Sequence, residues 1–219
     1  MTTTTPARLG LRTVALGYLV LLVAVPIALI LWRSFEPGVG AFVESVRTPA
    51  ALAALNLSLL IVAIVVPLNV VFGVGTALAL VRGRFPGKGL LQAVVDLPFV
   101  VREVEPVLHE IGTEQEQAAS TLGASSWQTF WRITLPAIRW GLTYGVVLTI
   151  ARALGEFGAV IMVSSGFPGV SQTLTLLVHS RYIDDHNAYG AYAAATLLMG
   201  LAVVTLLGMT LLDRKRSTR

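Results

Sequence analysis

Few residues have types and spacings suited to chemistry, and two of them lie inside an apolar segment. Arg152 and Glu156 are four residues apart between Trp140 and Val163, a spacing that places two side chains on one face of a helix. With about 1.5 Å of rise per residue, Arg152 is expected roughly 18 Å beyond Trp140, near the middle of a bilayer. Charges at that depth are functional candidates. The pair is predicted either to attract an anion or to clamp spans together.

Other catalytic or metal chemistry has little support. The chain has no cysteine, and its histidines (His109, His179 and His186) are scattered, so thiol catalysis and Cys-ligated zinc are excluded and no metal site is predicted. The sequence contains no Ser/His pairing or HExxH motif, so we predict a chain without a catalytic site of its own rather than a membrane-embedded enzyme. The net charge of +4 fits basic cytoplasmic loops better than nucleic-acid binding.

Composition indicates what must position these residues. Of 219 residues, 55% are hydrophobic and 13% are charged, about half the charged share of a soluble domain. The fold class is therefore predicted to be all-α, a multi-pass transmembrane helical bundle forming a single domain, 1–219. Apolar runs predict four clear spans, at about 14–32, 56–81, 140–163 and 189–212, since one span needs about 20 residues.

The positive charges predict the orientation of these spans. Basic residues precede the first span (Arg8 and Arg12), follow the second (Arg82 to Lys88) and follow the last (Asp213 to Arg216), whereas the loop after the first span has no net charge. Both termini and the basic loop are therefore expected in the cytoplasm. Residues 102–139, hereafter the polar segment, then also lie inside. Only 13 residues, Gly89 to Val101, separate these two cytoplasmic parts. Either they lie at the interface, or two spans are missing.

The polar segment is predicted to form two short helices. Thr113 with Glu116, and Ser125 with Gln128, have the spacing of capping boxes, and Gly123 can end the first helix. Leu135-Pro136 is expected to stop the second helix, because proline disfavours a helical residue before it. One face of this second helix is predicted to carry Trp127, Phe130, Trp131 and Thr134, at helical spacing.

Two interpretations of the polar segment remain open from these features. It is either an amphipathic pair lying on the lipid surface or a docking element for a soluble partner. In the second case the small residues Ala118, Ala119 and Gly123 would permit close approach of another backbone.

The polar segment resembles part of a known protein family. Gln117-Ala-Ala119, Gly123 and Ile133-Thr-Leu-Pro136 match the spacing of the EAA motif of ABC-importer permeases. Gln117 stands where that motif usually has glutamate, and Glu116 precedes it. Residues 102–162 are most similar to permease subunits of sulfate/thiosulfate importers. The runs that carry this likeness are Glu114 to Ala119, Leu122 to Ser125, Trp127 to Phe130 and Ala151 to Ala159.

The resemblance implies a permease subunit in the cytoplasmic (inner) membrane of a prokaryote that moves sulfate or thiosulfate. Its partners would be two ATP-binding subunits, a second related permease, an extracytoplasmic sulfate-binding protein and membrane lipid. No cofactor is expected in this chain, because ATP and Mg would be bound by the ATPase subunits. The residues implied in ATPase coupling are Glu116, Gln117, Ala118, Ala119, Gly123, Trp127, Phe130, Ile133, Leu135 and Pro136, with Trp127 or Phe130 as the anchor.

The family also carries two further spans between the basic loop and the EAA motif. In this chain Asp96-Leu-Pro-Phe-Val100 runs straight into Arg102, so an internal segment is expected to be missing near residues 99–101. An internal deletion, an alternative gene model or a degenerate, non-functional paralogue would each explain this. The alternative substrates are molybdate and tungstate, and a secondary transporter is disfavoured because no inverted repeat is found.

The outer loop offers two weaker candidates. The turn Ser164 to Gly169 is either an oxyanion site built from unpaired N–H groups or simply a turn. The segment Arg181 to Asp185 is a candidate contact for the external binding protein.

Overall fold

The computed structural model describes residues 5–83, 88–89 and 99–217. All regular elements in these ranges are helical, with no strand among the described residues, which confirms the predicted all-α class. The helices are α1 (Thr5–Phe35), α2 (Val39–Val46), α3 (Pro49–Arg82), α4 (Phe99–Ile111), α5 (Glu114–Thr121), α6 (Ser126–Thr129), α7 (Leu135–Leu154), α8 (Gly158–Val163), α9 (Leu174–His179) and α10 (Ala188–Ser217), with π-helical segments at Phe130–Thr134 and Ser180–Asp184.

Four helical stretches in the described ranges are long and apolar enough to cross a membrane. They are Arg12–Phe35, Pro49–Arg82, Ser126–Leu154 and Ala188–Gly208, and one of them overlaps each predicted span. Side chains along α1 are mostly exposed within this chain, as expected for a helix whose solvent is lipid. The molecule is therefore a multi-pass membrane protein.

The stop predicted at Leu135-Pro136 is wrong. Helix α6, the π-helical segment and α7 form one continuous run from Ser126 to Leu154. The N–H of Leu135 bonds to the carbonyl of Phe130, five residues back. In a regular α-helix, a proline ring clashes with the carbonyl of the residue four positions before it. Here the widened π turn precedes Pro136, which lies in the first turn of α7, where proline is tolerated.

The third span also ends earlier than its apolar pattern. Helix α7 stops at Leu154, Gly155 caps it, and α8 begins only at Gly158. Residues 140–163 therefore form two helices separated by a short break. The expectation that Arg152 and Glu156 share one helix is wrong, because Glu156 lies in this break.

The chain divides into two compact units, one of residues 1–55 and 160–200 and the other of residues 56–159 and 201–219. The second contains the polar segment and has its core where α4 packs against α3 and α7. The fully or nearly fully buried core side chains are Val74, Ala77, Leu80, Val100, Val101, Val104, Leu108 and Ile138.

Glycines allow the helices of this core to approach closely. A Cβ built on Gly145 would lie 2.7 Å from the Cα of Val100, and one on Gly141 would lie 2.6 Å from the Glu103 carbonyl oxygen. On α3, a Cβ on Gly73 would lie 2.6 Å from the Val100 side chain. Helix α4 thus contacts both neighbours at backbone distance, as small residues permit in membrane bundles.

In the first unit, a buried arginine holds the irregular parts together. Nη1 of Arg181 donates to the Gly190 carbonyl at 2.9 Å, and Nη2 donates to Oγ1 of Thr48 at 2.8 Å and to the Ser45 carbonyl at 3.2 Å. Burial lowers the pKa of Arg181 from its usual value, and the nearby Asp185 carboxylate raises it. The side chain links the second π-helical segment to the starts of α3 and α10.

Candidate coupling site

The first helix of the polar segment begins without the capping box that its sequence predicts. Helix α5 starts at Glu114, but Thr113 has a ψ of 0° and its side chain caps no backbone N–H. Side-chain capping needs an extended backbone at this position. Instead Oγ1 of Thr113 accepts a hydrogen bond from Nε2 of Gln117 at 3.0 Å. The capping role predicted for Glu116 is therefore wrong.

The end of α5 agrees with the expectation for Gly123. Its φ of +84° is in the left-handed region, and two backbone bonds close the helix, from Gly123 N to the Ser120 carbonyl and from Ala124 N to the Ala119 carbonyl, each at 3.0 Å. This pair of bonds defines a Schellman motif. Gly123 therefore ends the first helix and sets the direction of the second.

The second capping box is confirmed. Oγ of Ser125 accepts from the N–H of Gln128 at 3.3 Å, and Oε1 of Gln128 accepts from the N–H of Ser125 at 3.0 Å. Both orphan N–H groups at the start of α6 are thereby satisfied.

The aromatic residues of the second helix cluster as their spacing predicts. The ring centroids of Trp127 and Trp131 are 5.5 Å apart, as are those of Phe130 and Trp131. Their exposures differ, because Phe130 packs against the core whereas Trp127 is 69% exposed. Leu122, at the turn between the helices, is 88% exposed. Of the two anchors considered, Trp127 is the one available to a partner.

The small residues of the motif divide between the two sides of α5. Gln117 and Ala118 are exposed, and so is Gly123, while Ala119 is half-buried. Further along, Ile133 and Leu135 are half-buried and Pro136 is exposed. Leu122 and the exposed motif residues are hereafter called the outward surface of the segment: Gln117, Ala118, Leu122, Gly123 and Trp127.

Glu116 faces the opposite way, toward the end of α3. Its carboxylate forms an ion pair with Arg82, with Oε2 2.9 Å from Nε and Oε1 3.0 Å from Nη2. Oε1 also accepts from Oγ1 of Thr134 at 2.7 Å. Among the described residues implied in coupling, Glu116 is the one whose side chain is ion-paired with the end of α3. In the sequence, Arg82 indicates only the orientation of the spans. No local pattern connects it with Glu116, because the two residues are 34 positions apart.

Arg152 and Glu156, the candidate intramembrane pair, are in contact. Nη2 of Arg152 lies 3.2 Å from Oε2 of Glu156, with the arginine side chain 68% exposed within this chain. The other carboxylate oxygen of Glu156 accepts from the N–H of Ala159 at 3.0 Å, which caps the first turn of α8. The pair therefore connects the end of α7 to the start of α8 across the break.

The outer loop agrees with a simple turn rather than an anion site. The N–H groups of Gly166 and Phe167 donate to the hydroxyls of Ser164 and Ser171 at 3.1 and 3.2 Å, so they are not the unpaired donors that an oxyanion site needs. In the other outer candidate, Arg181 is buried, whereas residues 182–185 are exposed.

The helical, multi-pass architecture agrees with the comparison to known proteins. The chain belongs to the family described as binding-protein-dependent transport system inner membrane component, whose model matches residues 11–218. It is thus one membrane component of a multi-subunit transport system.

The similar curated proteins are more specific. The sulfate transport system permease protein CysW of Synechococcus elongatus is 39% identical, and the alignment covers 94% of this chain and 90% of that protein. CysW of Escherichia coli K12 is 35% identical, covering 88% and 84%. The sulfate transport system permease protein CysT of Synechocystis is 28% identical, covering 92% and 87%.

The alignments also measure what this chain lacks. They run over 257, 246 and 251 positions, more than the 219 residues of the chain. Once the unaligned ends are discounted, about 50 positions of each relative have no counterpart here, which is enough for two spans of about 20 residues and a turn. The predicted join near residues 99–101 adjoins 90–98, which are outside the described residues.

Proposed function

We propose that this chain is the permease subunit of an ATP-driven importer of sulfate or thiosulfate. The observation that carries the proposal is the 35–39% identity to proteins named CysW over 88–94% of the chain. The exposure of Ala118, Gly123 and Trp127 supports it, because small residues permit close approach of a partner and an exposed aromatic side chain can anchor it.

In this proposal the polar segment transmits movement from a separate ATPase subunit to the permease. A cytoplasmic ATPase subunit binds the outward surface of the segment, and its ATP-driven closure moves α5 and α6. The permease hydrolyses nothing, and ATP and Mg stay on the ATPase. The assembly pairs this chain with a second, related permease, two ATPase subunits and an extracytoplasmic sulfate-binding protein. Both termini lie in the cytoplasm, in keeping with the basic residues that flank the spans.

The experiment is a binding measurement on the purified chain with the sulfate ATPase subunit of its own system. Trp127→Ala is expected to weaken binding about 30-fold, since a central exposed tryptophan contributes about 2 kcal/mol when it is an anchor. The matched control is Trp32→Ala, which removes a tryptophan of similar exposure, 72%, from α1 and should change affinity by about twofold or less. Equal losses from both variants would contradict the docking role.

The anion and the short form are tested separately. Uptake of labelled sulfate by a host that lacks its own sulfate uptake, with and without excess molybdate or tungstate, decides between the oxyanions. The alternative is a truncated paralogue that does not transport, favoured by the missing 50 or so positions, the length of two spans. An intact mass of 23.3 kDa for the natively expressed protein would support the short form, and a mass larger by several kDa would show that the gene model is incomplete.

A further inference from the structure

The end of the second candidate span is bonded directly to the polar segment. Arg82 is the last residue of α3, and its side chain is only 21% exposed. The guanidinium holds both oxygens of Glu116, and its Nη2 also donates to the Gly112 carbonyl at 2.8 Å. The charge-assisted hydrogen bond from Nη2 to Glu116 gives the ion pair a defined direction as well as a charge.

The same carboxylate reaches a third element. Oγ1 of Thr134, a buried residue at the end of the π-helical segment, donates to Oε1 of Glu116 at 2.7 Å. Glu116 lies on α5, Arg82 ends α3, and Thr134 immediately precedes α7. One side chain therefore joins the first helix of the polar segment to the end of one candidate span and to the π-helical part of another, all within the second compact unit.

Among the described residues, α5 contributes no buried side chain that could replace this connection. The hydrophobic core of the unit is formed by α3, α4 and α7, and no residue of α5 is among its buried core members. The side chains of α5 are mostly exposed. The Arg82–Glu116 pair is therefore a direct side-chain link between α5 and α3, and it is mostly shielded, so water weakens it less than a fully exposed pair.

We infer that Arg82 is a positioning residue that, through Glu116 and Thr134, makes α5 move together with α3 and α7. The inference deepens the proposed function and rests on it for the source of the movement, the ATPase subunit. Glu116 is accordingly assigned to the internal connection, and the contact with the ATPase is left to the outward surface of Gln117, Ala118 and Trp127.

The test measures the position of α5 relative to α3 in the isolated chain. Because the chain has no cysteine, spin labels can be attached uniquely at Gln115→Cys on α5 and Leu68→Cys on α3, both exposed positions. Double electron–electron resonance should give a single narrow distance distribution. In Arg82→Gln this narrow distribution should be lost, and the charge exchange Arg82→Glu with Glu116→Arg should restore it.

The matched control is Arg102→Gln, which removes an exposed arginine from α4 of the same unit and should leave the distribution narrow. Circular dichroism and gel filtration of each variant distinguish loss of the connection from loss of the fold. If Arg82→Gln folds and keeps the narrow distribution, the inference is overturned. If the exchange variant folds but its distance distribution stays as broad as that of Arg82→Gln, the role assigned to a specific ion pair is overturned.

A second arm adds the ATPase subunit with a non-hydrolysable ATP analogue. With Arg82 present, the two labelled sites should move together, so the distance should stay constant when nucleotide binds. In Arg82→Gln the distance should shift, because α5 follows the ATPase without α3, an effect that a merely structural role would not produce. A shift already present with Arg82 overturns the transmission role. If no ATPase binds the unsubstituted chain, the proposed function fails, and the measurement on the isolated chain still decides on the connection.

Discussion

Gly123 directs the polar segment through its backbone conformation, not through lack of space. Its φ is +84°, and a Cβ built there would meet nothing within 4 Å. A non-glycine residue in the left-handed region costs roughly 1–2 kcal/mol, with asparagine among the better tolerated. The Schellman bonds at the end of α5 depend on this conformation.

We therefore expect Gly123→Ala to destabilise the polar segment by about 1 kcal/mol, and Gly123→Asn to destabilise it by less. Amide hydrogen exchange of residues 114–129 is the measurement. It should be about fivefold faster in the alanine variant if the local opening energy falls by that amount. Equal acceleration in both variants would mean that the left-handed conformation is not what Gly123 supplies.

At the residue scale, local patterns predicted local bonds and missed distant ones. Ser125 and Gln128 form the predicted capping box because both partners lie within one turn. Thr113 and Glu116 have the same spacing, but Arg82 and Thr134 offer Glu116 charge-assisted bonds that compete with the cap. These partners lie 34 and 18 residues away, and nothing in the sequence pairs them.

Among the elements of the second unit, α4 packs closely against α7. Gly141 and Gly145 on α7 lie against Glu103 and Val100, at distances where a side chain would collide with backbone atoms. A backbone atom cannot rotate aside as a flexible side chain can, so any added methyl group must shift a whole helix.

Gly145→Ala is accordingly expected to lower the free energy of unfolding by about 1–3 kcal/mol, the range seen for overpacked cores. Gly75→Ala on α3 is the control, since a Cβ there would meet nothing within 4 Å and alanine favours the helix by about 1 kcal/mol. Unfolding in detergent, followed by circular dichroism, measures both. Similar effects in the two variants would contradict the close approach of α4 and α7.

At the element scale, the helical class and the presence of four apolar helices were predictable from hydropathy, whereas helix ends were not. Pro136 was expected to stop a helix, but the π turn before it keeps the helix continuous. Gly155 interrupts a run whose apolar composition continues to Val163. The hydropathy of a segment indicates whether lipid or water surrounds it, whereas local backbone hydrogen bonding determines where its helix ends.

For the whole molecule, the number of membrane crossings depends on the positions of the relatives that have no counterpart in this chain, about 50 in each, the length of two spans and a turn. Two crossings that are absent together leave the sidedness of everything after them unchanged, whereas loss of one would invert it. The charges favour the even number, since basic residues precede the join at Arg82 to Lys88 and follow the last span at Arg214 to Arg216. The family match and the charge pattern together were readable from the sequence, but the size of the missing segment required the relatives.

This parity gives a direct prediction in the cysteine-free chain. In intact cells, a membrane-impermeant maleimide is expected to label Val170→Cys, which lies in the exposed outer loop. It should label neither Lys88→Cys nor Gln115→Cys until the membrane is permeabilised, because Lys88 belongs to the basic loop that is proposed to be cytoplasmic, and Gln115 is expected on the same side of the membrane as that loop. Labelling of only one of the two would mean that residues 89–101 cross the membrane once, although 13 residues are fewer than the roughly 17 a span needs. Both being labelled together with protection of Val170→Cys would invert the whole proposed orientation, and the outward surface around Trp127 would then be out of reach of a cytoplasmic ATPase.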